Sequence, residues 1–576
     1  MSLKEKKLVR PLPFGISEFT EVIDKNCYYS DKTLLLKSLL DTETKVILFT
    51  RPRRFGKTLN MTMLRTFFEK QLNGTDTSHY FKDLKIWQAG DKYRNEQGKR
   101  PVIYITLKDI KCLDFKQTLD EITKAVGSEY RRHEELKSSS LLEEYYKSLY
   151  RTISLEKVSL KDLTTSLLSL SAMLFKHHGI QPMIIIDEYD TPIQTANEYG
   201  YYEEMVNFMR IFLSSAFKDN PSLYRGFITG ITRVSKESIF SGLNNLLVDT
   251  IFDEEFSEYF GLTTAEVSDM LDFYDIPDKK EEAAHWYDGY MFGNTEIYNP
   301  WSMIQYIHSN CIARPYWVNT STNGLVGQTL EMADQDDRTV LESLVSGGTV
   351  ETAINTNIIY PEITSNINVA YSLLAQTGYL KSINNEIDDG VLFCTLKIPN
   401  RELRTIYFDE ILNRFVKDST ACKKAWELRR AISKGNAEKI QQLVQDYLMS
   451  SCSFHDLTEE KDYHNLFLGL IYIATDFYSV KSNRESGEGR YDIAMFPKKP
   501  NLPGIIFELK YCSDGESVKS DKAKLEQLLT KTAEDALKQI ESKEYLTELK
   551  EAGANPIFKY GAAFFGKKAK VIRKSE

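Results

Sequence analysis

Short runs in which nearly every position is apolar punctuate the first half of this chain: Val46 to Phe49, Val102 to Ile105 and Met183 to Ile186. Runs so short and continuous predict strands buried on both faces, as in a parallel sheet covered by helices. Between them the apolar residues spread to helical spacing, at Met61, Leu64 and Phe68, around 163–174, and across 203–217. Residues 114–180 read as mostly helical and charged. Asp31 is placed to cap a helix running through Leu34, Leu35, Leu36 and Leu39. LYRGFITGITRV at 223–234 predicts another strand, and 239–252 a loop with a short strand. This alternation is that of an α/β fold.

From about 255 to 420 the pattern is helical with aromatic clusters. Trp286 to Tyr290 and Tyr298 to Trp301 flank a predicted hairpin turning at Gly293-Asn294. Aromatics this dense either pack a helical lid or stack bases. Residues 372–380 and 391–400 predict a helix followed by a small hairpin, in the manner of a winged-helix module. Beyond 420, helices are expected around 430–450 and 458–478, then strands at Tyr491 to Met495 and Ile505 to Lys510, then a helix at 531–547. Lys567 to Lys574 reads as a basic tail, able to touch phosphates or simply solvated.

The chemistry sits where the strands end. After the first run comes Arg51-Pro52-Arg53-Arg54-Phe55-Gly56-Lys57-Thr58, which matches the second half of a phosphate-binding G-x-x-x-x-G-K-[ST] loop. Arg51 stands where the first glycine belongs. Arg54, Phe55 and Gly56 would form the cradle, Lys57 reach the β and γ oxygens, and Thr58 hold Mg²⁺ at a helix N-terminus. About 130 residues on, the run ending in Asp187-Glu188 has the layout of a Walker B strand. There Asp187 would share the metal and Glu188 polarise the attacking water. Thr229 and Thr232 would sense a γ-phosphate and Arg233 would pair with it.

A second constellation lies near the C-terminus. Asp492 precedes Glu508-Leu509-Lys510 by sixteen residues, the D…E-x-K layout of PD-(D/E)XK nucleases. Strand periodicity puts Glu508 and Lys510 on one face. Asp492 and Glu508 would bind Mg²⁺, and Lys510 would orient water or neutralise phosphate. Glu460 is the candidate first-helix acid, with His464 one turn further along.

Composition narrows the rest. The chain has 576 residues, 42% hydrophobic and 27% charged, enough for two or three soluble domains. A net charge of −9 gives no global basic field, so nucleic-acid contact would need a local patch. Seven scattered cysteines without a C-x-x-C pair argue for reduced thiols and against a zinc site. No run approaches a membrane span and the N-terminus lacks an apolar signal core, so a cytoplasmic location is expected.

LPFGISEF, YYSDKT, TRPRRFGKT, IIIDEYD, GITRVSKESIFSGLNN and HWYDGYMFGNTEIYNPWS together resemble the bacterial AAA-ATPase-like family, commonly fused to a C-terminal PD-(D/E)XK nuclease-like domain. An R-P-R-R-F-G-K-[ST] loop without the first glycine is typical there. The resemblance implies an additional-strand ATPase core carrying Lys57, Thr58, Asp187 and Glu188. It also matches Gln539 and Tyr545 to the family's helix after the lysine. The expected architecture is a P-loop NTPase core with a parallel sheet at 1–255, a helical connector at 256–420, and a restriction-endonuclease-like domain at 421–576. The expected activity is ATP binding and hydrolysis coupled to Mg²⁺-dependent cleavage of DNA, with oligomerisation open. A second reading is a nucleotide-dependent switch that holds nucleic acid without cutting it.

Overall fold

The computed structural model describes residues 10–575 except 70, 73–74, 235–238, 241–244, 318–343, 345–346, 365, 408–420, 452–462, 465–466, 468–470, 472–476, 487–488, 499–501, 514–520 and 543–546. By internal contacts the chain divides into two units: Met1–Met332 with Thr349–Leu403, and Ala333–Gly348 with Arg404–Glu576.

The first unit is built on five strands, β1 (Val46–Thr50), β2 (Val102–Thr106), β3 (Met183–Asp187), β4 (Gly226–Gly230) and β5 (Leu246–Asp249). They lie in the order β2-β3-β4-β1-β5, and every neighbouring pair is parallel. All five residues of β1, of β3 and of β4 are buried, which is why their sequences show no polar alternation. β4 therefore separates the strand leading into the Lys57 loop from the strand ending in Asp187. Helices cover the sheet: α1 (Leu34–Asp41), α2 (Lys57–Phe68), α3 (Phe115–Arg132), α4 (Ser166–His178), α5 (Thr191–Tyr199) and α6 (Tyr202–Phe217). Leu48, Ile103, Ile186 and Ile228 of the sheet pack with Ile122 and Val126 of α3, Leu170 and Leu174 of α4, and Met209 and Phe212 of α6.

Asp31 acts differently from the expected cap. Thr33 occupies the N-cap of α1, and Asp31 Oδ1 accepts from the Thr33 N–H (2.9 Å) and Oγ1 (2.6 Å) while Oδ2 accepts from the Lys85 N–H (2.7 Å). Its carboxylate ties a turn to a distant segment instead of closing the helix end.

A smaller sheet follows, β6 (Leu262–Thr263), β7 (Tyr290–Phe292) and β8 (Thr295–Tyr298), ordered β7-β8-β6. The β7–β8 hairpin turns at Gly293-Asn294, with φ +51° at Gly293. α7 (Thr264–Phe273) starts with a reciprocal Thr263–Glu266 capping box, and Asn299 caps α8 (Pro300–His308). Tyr287, Tyr290 and Tyr298 are buried, so most of this aromatic cluster is core. Three antiparallel strands, β9 (Val350–Ile354), β10 (Lys381–Asp388) and β11 (Val391–Lys397), accompany α9 (Ile367–Gln376), giving the expected helix and hairpin. Glu402, fully buried, accepts from the Trp317 N–H (2.6 Å) and from Ser302 Oγ (2.9 Å). Burial pushes its carboxyl up to about 7.

The second unit holds β12 (Tyr478–Ser486), β13 (Gly489–Pro497), β14 (Gly504–Tyr511), β15 (Ile557–Phe565) and β16 (Lys568–Ser575), paired in sequence order. Only β14 and β15 run parallel; the other pairs are antiparallel. α10 (Ala421–Ser433) and α11 (Ala437–Ser451) pack Ile432, Ile440 and Val444 against Ile505, Phe507 and Tyr560 on one face. α12 (Lys522–Ser542) covers the other, with Ile540 against Ile506 and Ala533 against Ala563. A Cβ on Gly561 would lie 2.1 Å from the Ala533 carbonyl, so only glycine permits this approach. The segment expected as a basic tail is instead the edge strand β16. Lys570 and Lys574 of that strand pair with Glu526 (2.8 Å) and Glu541 (2.7 Å) of α12.

Candidate active sites

In the first unit β1 ends at Thr50 and the chain loops through Arg51–Phe55 into α2. Gly56, at the N-cap of α2, has φ +83°, and Arg54 before it has φ +68°. This left-handed geometry turns successive backbone N–H groups toward the mouth of the helix. Lys57 is almost fully buried, with Nζ donating to the Arg51 (3.0 Å) and Pro52 (3.2 Å) carbonyls. Its ammonium also lies 3.1 Å from Glu188 Oε1.

Thr58 Oγ1 donates to Asp187 Oδ2 at 2.9 Å, joining the loop to the tip of β3. Thr106, at the end of β2, donates to the same oxygen (3.2 Å), and Thr229 of β4 donates to Asp187 Oδ1 (2.7 Å). Burial raises the Asp187 carboxyl above its ordinary range, and Glu188 adds to the rise. Glu188 is held with φ +55°, its N–H donating to Thr229 Oγ1 (3.2 Å). Thr229 thus braces both acidic residues. Thr232 donates through its N–H to Asp190 Oδ2 (3.0 Å), and Arg233 begins a short strand paired with Asn357–Ile358. The oxygen-rich Thr58 and Asp187 pair suits a hard cation such as Mg²⁺.

Four features here carry little sequence signal. Arg51, in the place of the expected glycine, is fully buried and turns away from the cradle onto β5, where Nη2 pairs with Asp249 Oδ2 and Nη1 donates to the Asp249 carbonyl (3.0 Å). Burial still leaves the Asp249 carboxyl raised to about 6, against the opposing pull of Arg51. Arg54 stacks on Trp301, its guanidinium carbon 3.9 Å from the ring centroid. The Arg53 carbonyl accepts from Trp317 Nε1 (3.3 Å) and Asn299 Nδ2 (3.5 Å). Asp190 is buried with its carboxyl raised to about 6 by burial and by Glu188. The Tyr-Asp pair following Asp187-Glu188 was the visible hint of it.

In the second unit Asp492 lies on β13, and Glu508 and Lys510 on β14. The described ladder pairs Ile493 with Phe507; one step on, Asp492 Oδ2 accepts the Leu509 N–H at 2.6 Å. A carboxylate thereby takes a backbone donor at the point where the strands part. Phe507 and Leu509 face α10 and α11, while Ile506 faces α12, so alternation turns Glu508 and Lys510 toward α12. Glu508 is buried, and Oε1 accepts from Gln539 Nε2 of α12. His464 contacts the Asp492 carbonyl through Nε2 (3.2 Å). Two carboxylates with one positioning amide fit a small divalent cation that keeps several waters. Among the described residues no three His, Cys, Asp or Glu side chains gather as a metal cluster, and Glu460 and Tyr545 lie outside them.

Residues 13–240 match the model of the predicted AAA-ATPase family, and residues 458–574 match that of the PD-(D/E)XK nuclease superfamily. The two matches follow one another in that N- to C-terminal order. An uncharacterized protein in the vnfD 5′ region of Azotobacter chroococcum mcd 1 is 24% identical over 420 residues, 71% of either chain. Among the described residues no helix is long and apolar enough to cross a membrane. The AAA-ATPase-like match spans Lys57, Thr58, Asp187 and Glu188, and the nuclease match spans Asp492, Glu508, Lys510 and Gln539.

Proposed function

We propose that this protein binds and hydrolyses ATP in its first unit and cleaves DNA phosphodiester bonds, with Mg²⁺, in its second. The observation that carries the ATPase half is the 2.9 Å bond from Thr58 to Asp187, which brings two metal-type oxygens to the mouth of α2 beside Lys57. In this reading Lys57 leaves Glu188 for the β and γ oxygens, and Glu188, freed, orients water. Arg54, Phe55 and Gly56 supply the cradle. Thr229 keeps Asp187 and Glu188 in register and reports the γ-phosphate, with Arg233 pairing to it. Thr58 and Asp187 would hold Mg²⁺, which would supply charge neutralisation at the phosphates.

In the second unit Asp492, Glu508 and Glu460 would hold the metal, which would supply a water of lowered pKa and charge neutralisation at the scissile phosphate. Gln539 fixes the Glu508 carboxylate, and Lys510 orients the attacking water. The Glu508–Gln539 contact favours cleavage over passive binding, because an amide aimed at a buried carboxylate keeps it poised for a cation. We assign the ATPase-like domain to 1–255, the connector to 256–420 and the nuclease-like domain to 421–576. A cytoplasmic setting and self-association belong to the same proposal.

The test is Mg²⁺-dependent cleavage of plasmid, linear and single-stranded DNA, with and without ATP, using wild type, Glu508→Ala and Lys57→Ala. Cleavage lost in Glu508→Ala supports the second-unit site, and cleavage also lost in Lys57→Ala supports ATP control. ATP binding with no cleavage of any DNA would overturn the nuclease half in favour of the switch.

A further inference from the structure

Three consecutive carbonyls of the phosphate loop are held from two directions. Lys57 Nζ takes those of Arg51 (3.0 Å) and Pro52 (3.2 Å) from within the loop. The Arg53 carbonyl is taken by side chains 246 and 264 residues further along, Asn299 Nδ2 at 3.5 Å and Trp317 Nε1 at 3.3 Å. The Arg53 carbonyl and the Arg54 N–H belong to one planar trans peptide and point in opposite directions. Holding that carbonyl outward therefore aims the Arg54 N–H into the cradle. It does so at a residue whose φ of +68° costs any side-chain-bearing residue energy to adopt.

The two donors are themselves fixed. Asn299 spends Oδ1 on the Trp301 (2.9 Å) and Ser302 (3.3 Å) N–H groups at the start of α8, which leaves Nδ2 as the end that faces Arg53. Trp301, under the Arg54 guanidinium, donates through Nε1 to the Tyr316 carbonyl (3.2 Å), and the Trp317 ring meets Tyr379 edge-on with centroids 5.0 Å apart. One buried carboxylate joins both carriers: Glu402 accepts from Ser302 Oγ of α8 and from the Trp317 N–H. Glu402 is also the next-to-last residue before the chain passes, at Arg404, into the second unit.

We infer that Glu402, acting through Trp317 and Ser302, is a positioning residue for the phosphate loop, so that the segment leaving the first unit sets how well the loop receives phosphate. The inference rests on the phosphate-site reading above. With Glu402 in place, the Arg53–Arg54 peptide presents its N–H to an anion. With Glu402 displaced, Trp317 loses its anchor and the Arg53 carbonyl is released. Rotation of that peptide then turns a carbonyl oxygen toward the phosphates and repels them. Linkage makes the effect mutual: phosphate on the loop holds the Glu402 segment as strongly as that segment favours phosphate.

The experiment is titration calorimetry of the full chain with MgATP and with inorganic tripolyphosphate, below the melting transition of each protein. Trp317→Phe keeps an aromatic face and removes the N–H. Glu402→Ala removes the carboxylate, and Glu402→Gln keeps an acceptor for Trp317 and a partner for Ser302. Trp317→Phe should weaken both ligands about fivefold, the worth of one neutral hydrogen bond. Glu402→Ala should weaken both by about tenfold or more, while Glu402→Gln stays within about twofold of wild type. Adding Trp317→Phe to Glu402→Ala should cost less than about twofold further, because both cut one path. Unchanged affinities in Trp317→Phe would overturn the inference and leave the phosphate site standing. So would losses that add in the double variant, a loss confined to ATP, or a Glu402→Gln protein no better than Glu402→Ala. A wild type that binds neither ligand would overturn the phosphate-site reading, and this inference with it.

Discussion

The two acidic sites of this chain are held by opposite means. In the first unit Asp187 and Glu188 are locked to a hydroxyl ring and a buried ammonium: Thr58, Thr106 and Thr229 surround Asp187, and Lys57 stands beside Glu188. In the second, a backbone N–H donates to Asp492 and a side-chain amide to Glu508. The first arrangement stores its cation internally, so ligand binding is an exchange of partners. The second brings two carboxylates and an amide together on neighbouring strands and a helix, an oxygen-rich set that suits a cation taken from solution.

Substitutions sharpen the contrast. The largest effect is expected at Glu508→Gln, which keeps the shape and removes the charge: DNA cleavage should fall on the order of a thousandfold, about 4 kcal/mol of transition-state stabilisation, in single-turnover assays. ATP affinity should stay as in wild type; if it fell, the two sites would not be separately built.

Next comes Arg51→Gly, which restores the glycine of the usual loop. Removing one member of a buried ion pair should cost the first unit about 3–5 kcal/mol in urea melts, and Arg51→Met with Asp249→Leu should recover most of it. A stability unchanged by Arg51→Gly would show that the loop does not lean on β5.

Glu402 offers a pH test. Its folded pKa of about 7 lies above that of an exposed glutamate, so the folded state binds the proton more tightly than the unfolded chain. Its stabilising contribution is full below about pH 4.5 and is lost as pH rises through 7, a change on the order of 3 kcal/mol. Glu402→Gln should flatten that part of the stability profile, read as the wild-type minus variant difference between pH 5 and 8. An identical slope in both proteins would mean that Glu402 does not carry it.

The smallest effect is expected at Gln539→Ala. It should lower cleavage roughly tenfold by weakening metal affinity, and added Mg²⁺ should restore much of the rate. Loss that Mg²⁺ does not relieve would place Gln539 in the chemistry instead of behind Glu508.

Much of this was legible in the chain because strand-tip chemistry is local. An apolar run followed by Gly56-Lys57-Thr58, or by Asp187-Glu188, carries its meaning within ten residues. The hairpin at Gly293-Asn294 was equally plain, since the turn needs those residue types. What stayed hidden depends on distant partners. Arg51 meets Asp249 across 198 residues and Thr106 meets Asp187 across 81, and neither pairing leaves a periodic trace. Asp31 misled because a turn and a helix cap ask for the same side chain. Lys567 to Lys574 misled because an edge strand whose lysines pair with the acidic residues of a covering helix looks, in sequence, like a basic tail.

The place of β1 within its sheet also constrains how the protein is made. Its two neighbours, β4 and β5, are about 180 and 200 residues further along the chain. At about 5–20 residues per second, the apolar strand Val46–Thr50 leaves the ribosome roughly 10–40 seconds before either partner has been synthesised. The phosphate loop takes its final form only when β4 slots between β1 and β3. During that interval the nascent N-terminal half exposes a strand that any other unpaired edge could capture, so its early folding is exposed to misassembly in a way that the second unit, whose strands mostly pair with sequence neighbours, is not.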